Sequence, residues 1–507
     1  MVSPRNATIS LSAGDGCQKR IEDMNKLKIY TACILLLGYS VVIKAETAEI
    51  KYRKEISQYG ITWSFEKPVK CGQFITGDWW VIGPVKIVKI DPGPGPVRID
   101  NNKIQTNRWG DTSLKVDTLM RNGSMIVYKA GNFQGYDSRN GSYRASLSVQ
   151  LPLVLGTNLS LVSTISNHSL PVDNFCKNIM WEDEKQVRVT LKAAAILTCL
   201  KEVPPADAFR PPFAGIDKPI FRAKDIQWEL LPKLKSAGEV PSWKEYEYYF
   251  SRCWIDHLMS WEQQELVPNE NMPNYGREHA RLVSIASLML LLDVPRENKE
   301  KLTIGLIQHG IDLYGTAMNG GYWNEGGGHS SGRKWPILFA GIMIGNPKML
   351  NLPLTAFFQE DTQTYYGKGW FGQTVLWQMI MHHGKRDTYE EKSPDQWKQW
   401  DKTSESYRIC CTSSAWVGTA LAARYLKAIK IWGHDAYFDY VDRWMQEADP
   451  YRTARGNYSR PKSETTTFDP FVTAMWKSYR HNAPNQDYSG KNFKWIWQGD
   501  SGIWISN

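Results

Sequence analysis

Several of the signatures that assign function directly are missing from this 507-residue chain. There is no dense Lys/Arg run of the kind that marks nucleic-acid binding, so nucleic acid is not an expected partner. The eight cysteines (Cys17, Cys33, Cys71, Cys176, Cys199, Cys253, Cys410 and Cys411) lack the paired spacing of zinc sites. No His/Asp/Cys constellation is specific enough to predict a metal. No cofactor is therefore predicted, while a structural or catalytic metal stays open. Beyond residue 45 no apolar run is long enough to cross a bilayer, so no stable membrane span is expected. The second half also lacks alternating, strand-like runs between its helix-like segments, which disfavours a βαβ architecture.

The N-terminus has two textures. Residues 1–23 are polar and without apolar periodicity, and read as a mis-assigned extension ahead of Met24. Residues 24–45 then present Lys26 and Lys28, the apolar run Ile29–Ile43 and a small residue at Ala45. That order is a secretory signal peptide, with a signal anchor as the alternative. An exported protein, periplasmic or extracellular, is the expectation. Losing residues 1–45 lowers the formal charge from +9 to +6, a mild excess that suits an acidic polymer. Export would permit some cysteine pairing, although buried free thiols suit the adjacent Cys410 and Cys411 at least as well.

Residues 46–205 read as β. The runs Val85–Ile90, Ser124–Tyr128 and Ser146–Leu151 alternate, and turn clusters such as Asp91–Pro96 and Arg121–Gly123 separate them. The sequons at Asn122, Asn140, Asn158 and Asn167 read as turn residues. A β-sandwich-like accessory domain is the expectation. A Pro-rich linker, 206–212, follows. Beyond it, residues 213–507 switch to helical spacing over Glu278–Leu292, Lys299–Met318, Lys334–Ile344, Ala415–Ile431, Ala436–Gln446 and Phe471–Tyr479. The fold class expected is α+β multidomain: the sandwich-like domain, then an all-α (α/α) toroid of helical hairpins. Alternation returns at Phe493–Gln498 and Gly502–Ile505, as a hairpin folding back on the β domain.

Tryptophan is abundant, at 22 residues; much of it is core, and some would line a sugar-stacking groove. Four polar clusters punctuate the helical half. The first, Asn274–Arg281, places Tyr275 and His279 four residues apart on one helix face, with ordinary surface residues as the competing reading. The second, Gly320–Lys334, is glycine-rich and carries Tyr322, Trp323, Asn324, Glu325, His329 and Arg333. Its Gly327-x-x-x-x-Gly332 spacing suggests a phosphate loop, but Arg333-Lys334 stands where Lys-Ser/Thr is needed and no strand precedes it. A structural Ω-loop is the serious alternative. The third, Glu360–Trp370, holds Glu360, Asp361, Gln363, Tyr365, Tyr366 and Trp370. The fourth, Glu405–Cys411, includes Tyr407 and Arg408, where capping and packing compete with function.

The segments Tyr275–Arg281, Gly326–Lys334 and Asp361–Tyr366 resemble, at the level of class, polysaccharide-degrading (α/α)-toroid enzymes, the alginate-lyase-like and heparinase-like polysaccharide lyases. The resemblance implies β-elimination on a uronate-containing acidic polysaccharide or oligosaccharide. A base removes the C5 proton, an acid protonates the departing O4, and Asn, Arg or His neutralises the carboxylate. It implies His329 as base and Tyr366 as acid, with Tyr275 and His279 as further proton-transfer groups. Asn324 and Arg333 would neutralise charge, and Trp323, Tyr322, Tyr365, Gln363, Tyr407, Arg408 and Trp370 would bind sugar. Glycoside hydrolysis is the rival reading, with Glu325 and Asp361 as the carboxyl pair and Glu360 as substitute. A non-catalytic glycan-binding protein is the third.

Overall fold

The computed structural model describes residues 49–96, 120–138, 140–167, 191–259, 263, 266–270, 277–323, 328–380, 386–446, 451, 467, 469–484, 493–498 and 501–506. The extension and signal peptide expected over 1–45 lie outside them. Among the described residues no helix is long and apolar enough to cross a membrane.

The first half is one mixed sheet. Its strands are β1 (Lys51–Gln58), β2 (Ile61–Gln73), β3 (Trp79–Ile82), β4 (Val85–Asp91), β5 (Ser124–Ile126), β6 (Leu153–Leu155), β7 (Leu159–Ser166) and β8 (Leu191–Leu200). Seven of them run in the order β5-β7-β8-β3-β2-β4-β6, and β1 pairs alongside β2. The β8–β3 pair is parallel, Leu197 opposite Trp79, and its neighbours are antiparallel. Val85, Ile87 and Ile90 of β4 face inward and Lys86, Val88 and Lys89 outward, the alternation being broken after Ile87 where the register with β2 shifts.

This corrects the β-sandwich expectation. Ala195, Leu197 and Cys199 of β8 join a core built from β1 to β4 and β7, so the sheet curls over its own face. Ala194 and Ile196 point the other way, into a second core with Phe213, Cys253, Ile255 and Leu258 from the helical half. The second layer is therefore helical-half chain rather than another sheet. Ser146–Leu151 also departs from expectation, since Ala145–Leu147 is a 3-10 turn. Asn122 and Asn158 do take left-handed turn conformations, with φ of 51° and 61°.

The proline-rich segment is packed rather than extended. Arg210 is fully buried, donating to Asp78 at 2.7 Å from the sheet side and to both oxygens of Asp312 at 2.8 and 2.6 Å. Residues Thr47 to Asn507 accordingly cluster as one compact unit.

The second half contains α1 (Trp243–Phe250), α2 (Arg277–Leu290), α3 (Arg296–Met318), α4 (Lys334–Met343) and the short α5 (Gln359–Gln363). A hairpin of β9 (Thr364–Tyr366) and β10 (Val375–Trp377) follows. Next come α6 (Gln399–Tyr407), a π-helical turn (Arg408–Thr412), α7 (Ser413–Tyr425), α8 (Ile429–Trp432), α9 (Asp435–Gln446) and α10 (Pro470–Tyr479). The helix expected over Ala415–Ile431 breaks into α7 and α8 at Lys427, whose φ is 57°.

A toroid of successive helical hairpins is not what these helices build. The α2–α7 pair, far apart in sequence, packs as extensively as the sequential α3–α4 pair. Ser284 fastens them, donating to the Ala415 carbonyl at 2.5 Å and bonding Thr419 at 2.9 Å. Both helices are buried nearly all round, which is why their apolar positions cover more than one stripe. Residues 347–398 hold 3-10 turns, short strands and the five-residue α5 in place of further hairpins. The C-terminal hairpin does form, Phe493–Gln498 with Ser501–Ser506, but its second strand meets the turn Pro347–Leu350 of the helical half.

Candidate functional site

Four elements bring buried polar side chains together: the start of α2, the turn Gly328–Arg333 leading into α4, α5, and the π-helical turn. Two glycines make the meeting possible. Gly328 has φ of 92°, and a Cβ there would lie 2.0 Å from the Cys411 carbonyl oxygen. Gly332 has φ of 85°, and a Cβ would lie 2.6 Å from Ala280 Cα. Only glycine combines that conformation with that approach. Gly332→Ala is expected to cost about 3 kcal/mol, left-handed strain plus overpacking, read as a lowered urea midpoint.

The turn is held from α5. Gln359 Oε1 accepts from Ser330 N–H and the Ser331 hydroxyl, both at 3.1 Å, and Glu360 Oε1 accepts from Gly332 N–H at 2.6 Å. Trp416 of α7 donates to Ser331 Oγ at 3.1 Å. His329, between these anchors, is buried.

Behind the turn lies a layer of charge and imidazole. Arg333 Nε donates to Asp256 Oδ2 at 2.8 Å and its Nη1 to the Ser331 carbonyl at 2.6 Å. Gln263 donates to the other Asp256 oxygen. His279 and His309 face each other with Nε2 atoms 2.8 Å apart, and Trp254 packs on both rings. Burial holds both imidazoles well below their ordinary pKa, and the Arg333 charge lowers them further. Both are thus neutral at neutral pH, and the 3.7 Å approach of Asp256 to His279 Nδ1 is not an ion pair. The two Nε2 atoms share one hydrogen bond, so one imidazole carries its proton on Nε2 and the other accepts.

Glu360 is the second titratable group of note. Burial raises its carboxyl to about 7, against the Gly332 hydrogen bond, and its Oε2 has no hydrogen-bond partner among the described residues. A carboxyl raised in the fold stabilises it most below its unfolded value of 4.5, and that contribution is lost as pH rises through about 7. Glu360→Gln should therefore flatten stability against pH by about 1.4 kcal/mol per unit across that window. Urea unfolding of both proteins at about pH 5 and about pH 7 measures the difference.

The sequence-predicted residues divide sharply. His279, His329 and Arg333 belong to this assembly, and Glu360 joins them. Tyr275, Asn324 and Glu325 lie outside the described residues. Asp361 is committed to Lys334 and accepts from Trp432 Nε1 at 2.8 Å. Trp323 is buried against Phe358, its ring centroid 5.8 Å away, so it offers no open platform. Tyr322 beside it is exposed. Gln363 is buried and accepts from Gln359 at 3.0 Å. Tyr365 donates to Glu391 at 2.9 Å, and Tyr366 to Asp439 at 2.6 Å. These bonds and burial hold both phenols above their ordinary pKa. Tyr366 and Trp370 are exposed on the β9–β10 hairpin, and their described contacts do not reach the His329 turn. Arg408 is fully buried in ion pairs with Glu405 and Glu390, and Tyr407 is half-buried beside it.

Sequence reasoning missed Asp256 and His309. Neither sits in one of the polar clusters the sequence offers, and 30 residues separate the two imidazoles that touch. Cys410 and Cys411, for which pairing and buried free thiols were both open, form a disulfide. Cys71, Cys199 and Cys253 are free and buried. Among the described residues no group of three or more His, Cys, Asp or Glu is placed to hold a metal ion. No protein-family model, curated protein or solved structure matches the chain.

Proposed function

We propose that the chain is an exported polysaccharide lyase that cleaves a uronate-containing polymer by β-elimination at the His329 turn. The observation that carries the reading is the neutral His279–His309 pair beside the Arg333–Asp256 ion pair, directly behind that turn. β-Elimination needs an uncharged base, a fixed positive charge for the substrate carboxylate, and a group that can give a proton to O4. His329 is the base. Arg333, paired with Asp256, and Arg277, paired with Glu278, are the cations beside the turn that would face the substrate carboxylate. Glu360, with its carboxyl near 7, is the proton donor in place of Tyr366, whose hydroxyl is given to Asp439.

The reading stands on these residues and not on a toroid. Hydrolysis needs two carboxyl groups across the bond; Asp361 is tied to Lys334, which leaves that reading Glu360 as the substitute. A disulfide is of the kind an oxidising compartment keeps, which favours export.

The test is incubation with a panel of uronate polysaccharides and neutral glycans. Ultraviolet absorbance from a new C4–C5 double bond is the expected result. New reducing ends without that absorbance would make it a hydrolase, and retention on a polymer with no new ends would make it a binder.

A further inference from the structure

The Cys410–Cys411 bond joins neighbours in sequence, so it closes a small ring through their own peptide that holds the Cys410 carbonyl and the Cys411 Cβ, which a side chain at Gly328 would approach to 2.8 Å. Both carbonyls are in use. Cys410 O accepts from Arg277 Nη1 at 2.5 Å, which anchors the start of α2. Cys411 O is the surface on which Gly328 sits, too close for any side chain. The ring lies within the π-helical turn, where α6 passes into α7, and the wider backbone there leaves the carbonyls dependent on local constraints. Ala280 and Ala415 pack together beneath the same junction. One covalent ring thus sets the position of two of the four elements that meet at the site.

We infer that the Cys410–Cys411 disulfide is a redox-sensitive positioning clamp, which holds the Gly328–Arg333 turn and the start of α2 in register and releases both when a small dithiol reduces it. Cys410 is half-buried and Cys411 is buried, so Cys410 Sγ is the sulfur that a dithiol reaches. The reductant's thiolate attacks Cys410 Sγ, the S–S bond breaks, and Cys411 leaves as thiolate and takes up a proton. The reductant's second thiol then displaces Cys410. The protein gains two thiols, and the dithiol leaves as a cyclic disulfide, having supplied two electrons and two protons. The free thiols close no ring, and the Cys410–Cys411 peptide and both side chains can then rotate.

The clamp is a property of the fold, and its test needs no substrate, so it stands or fails apart from the lyase reading. Full-length protein is measured with and without dithiothreitol, and alongside Cys410→Ala, by hydrogen exchange. Reduction should expose two additional alkylatable thiols. The amides of Ser330 and Gly332, which bond Gln359 and Glu360, should then exchange at least about tenfold faster, while those of β7 and β8 stay unchanged. Reoxidation with oxidised glutathione should restore the slow rate, which the Cys410→Ala protein cannot regain. Equal protection of Ser330 and Gly332 in oxidised and reduced protein would overturn the inference. So would loosening spread evenly over the sheet and helices, which would mark the bond as a general brace.

Discussion

Arg210→Leu is expected to destabilise the fold by about 3–5 kcal/mol, because it leaves two buried carboxylates without their shared cation. Asp78 and Asp312 come from the two halves of the chain, and the guanidinium between them has no access to solvent. The loss is therefore electrostatic first, and it also parts the sheet from α3. Chemical denaturation should show a lower midpoint. The triple variant with Asp78→Asn and Asp312→Asn should recover a substantial part, since the uncompensated charges are gone. If Arg210→Leu alone unfolds at the wild-type midpoint, the joint contributes nothing net.

The second large effect is on turnover. Arg333→Ala should lower kcat/KM about a thousandfold, the scale of losing a fixed charge and a positioned proton-transfer network. Its removal also changes the imidazoles behind it. The Arg333 charge no longer depresses His279, and the freed Asp256 carboxylate lies 3.7 Å from Nδ1. Burial still holds the His279 imidazole down, but its pKa should rise relative to the wild type, read as an upward shift of its NMR titration. Adding Asp256→Asn removes the stranded charge, so it should restore stability and leave turnover low. Recovery of turnover in that double variant would assign Arg333 a structural role only.

The legible and the hidden parts of this fold differ for physical reasons. Helical periodicity marked α2, α3, α4, α9 and α10 within a few residues, because each keeps apolar positions at helical spacing. Which helices pair was not legible, since the α2–α7 contact through Ser284 and Thr419 spans 135 residues. Strand alternation is equally compatible with a sandwich and with a curled sheet. The two faces of β8 decide between them, Leu197 toward the sheet's own core and Ile196 toward the helical half. At the site, glycine density pointed to the turn, and Gly328 and Gly332 are the two whose conformation requires it. The partners behind the turn, Asp256 and His309, carry no local pattern. Trp323 shows the converse: a tryptophan in a polar loop suggested a sugar platform, yet its ring is core.

The central claim is that the His329 turn is a lyase centre, and the most direct measurement is the growth of unsaturated-uronate absorbance on the responsive polymer, wild type beside His329→Ala. Absorbance should grow steadily for the wild type and at least about a hundredfold less for the variant at equal folded concentration. Equal rates for the two proteins, or new reducing ends with no absorbance in the wild type, would contradict it.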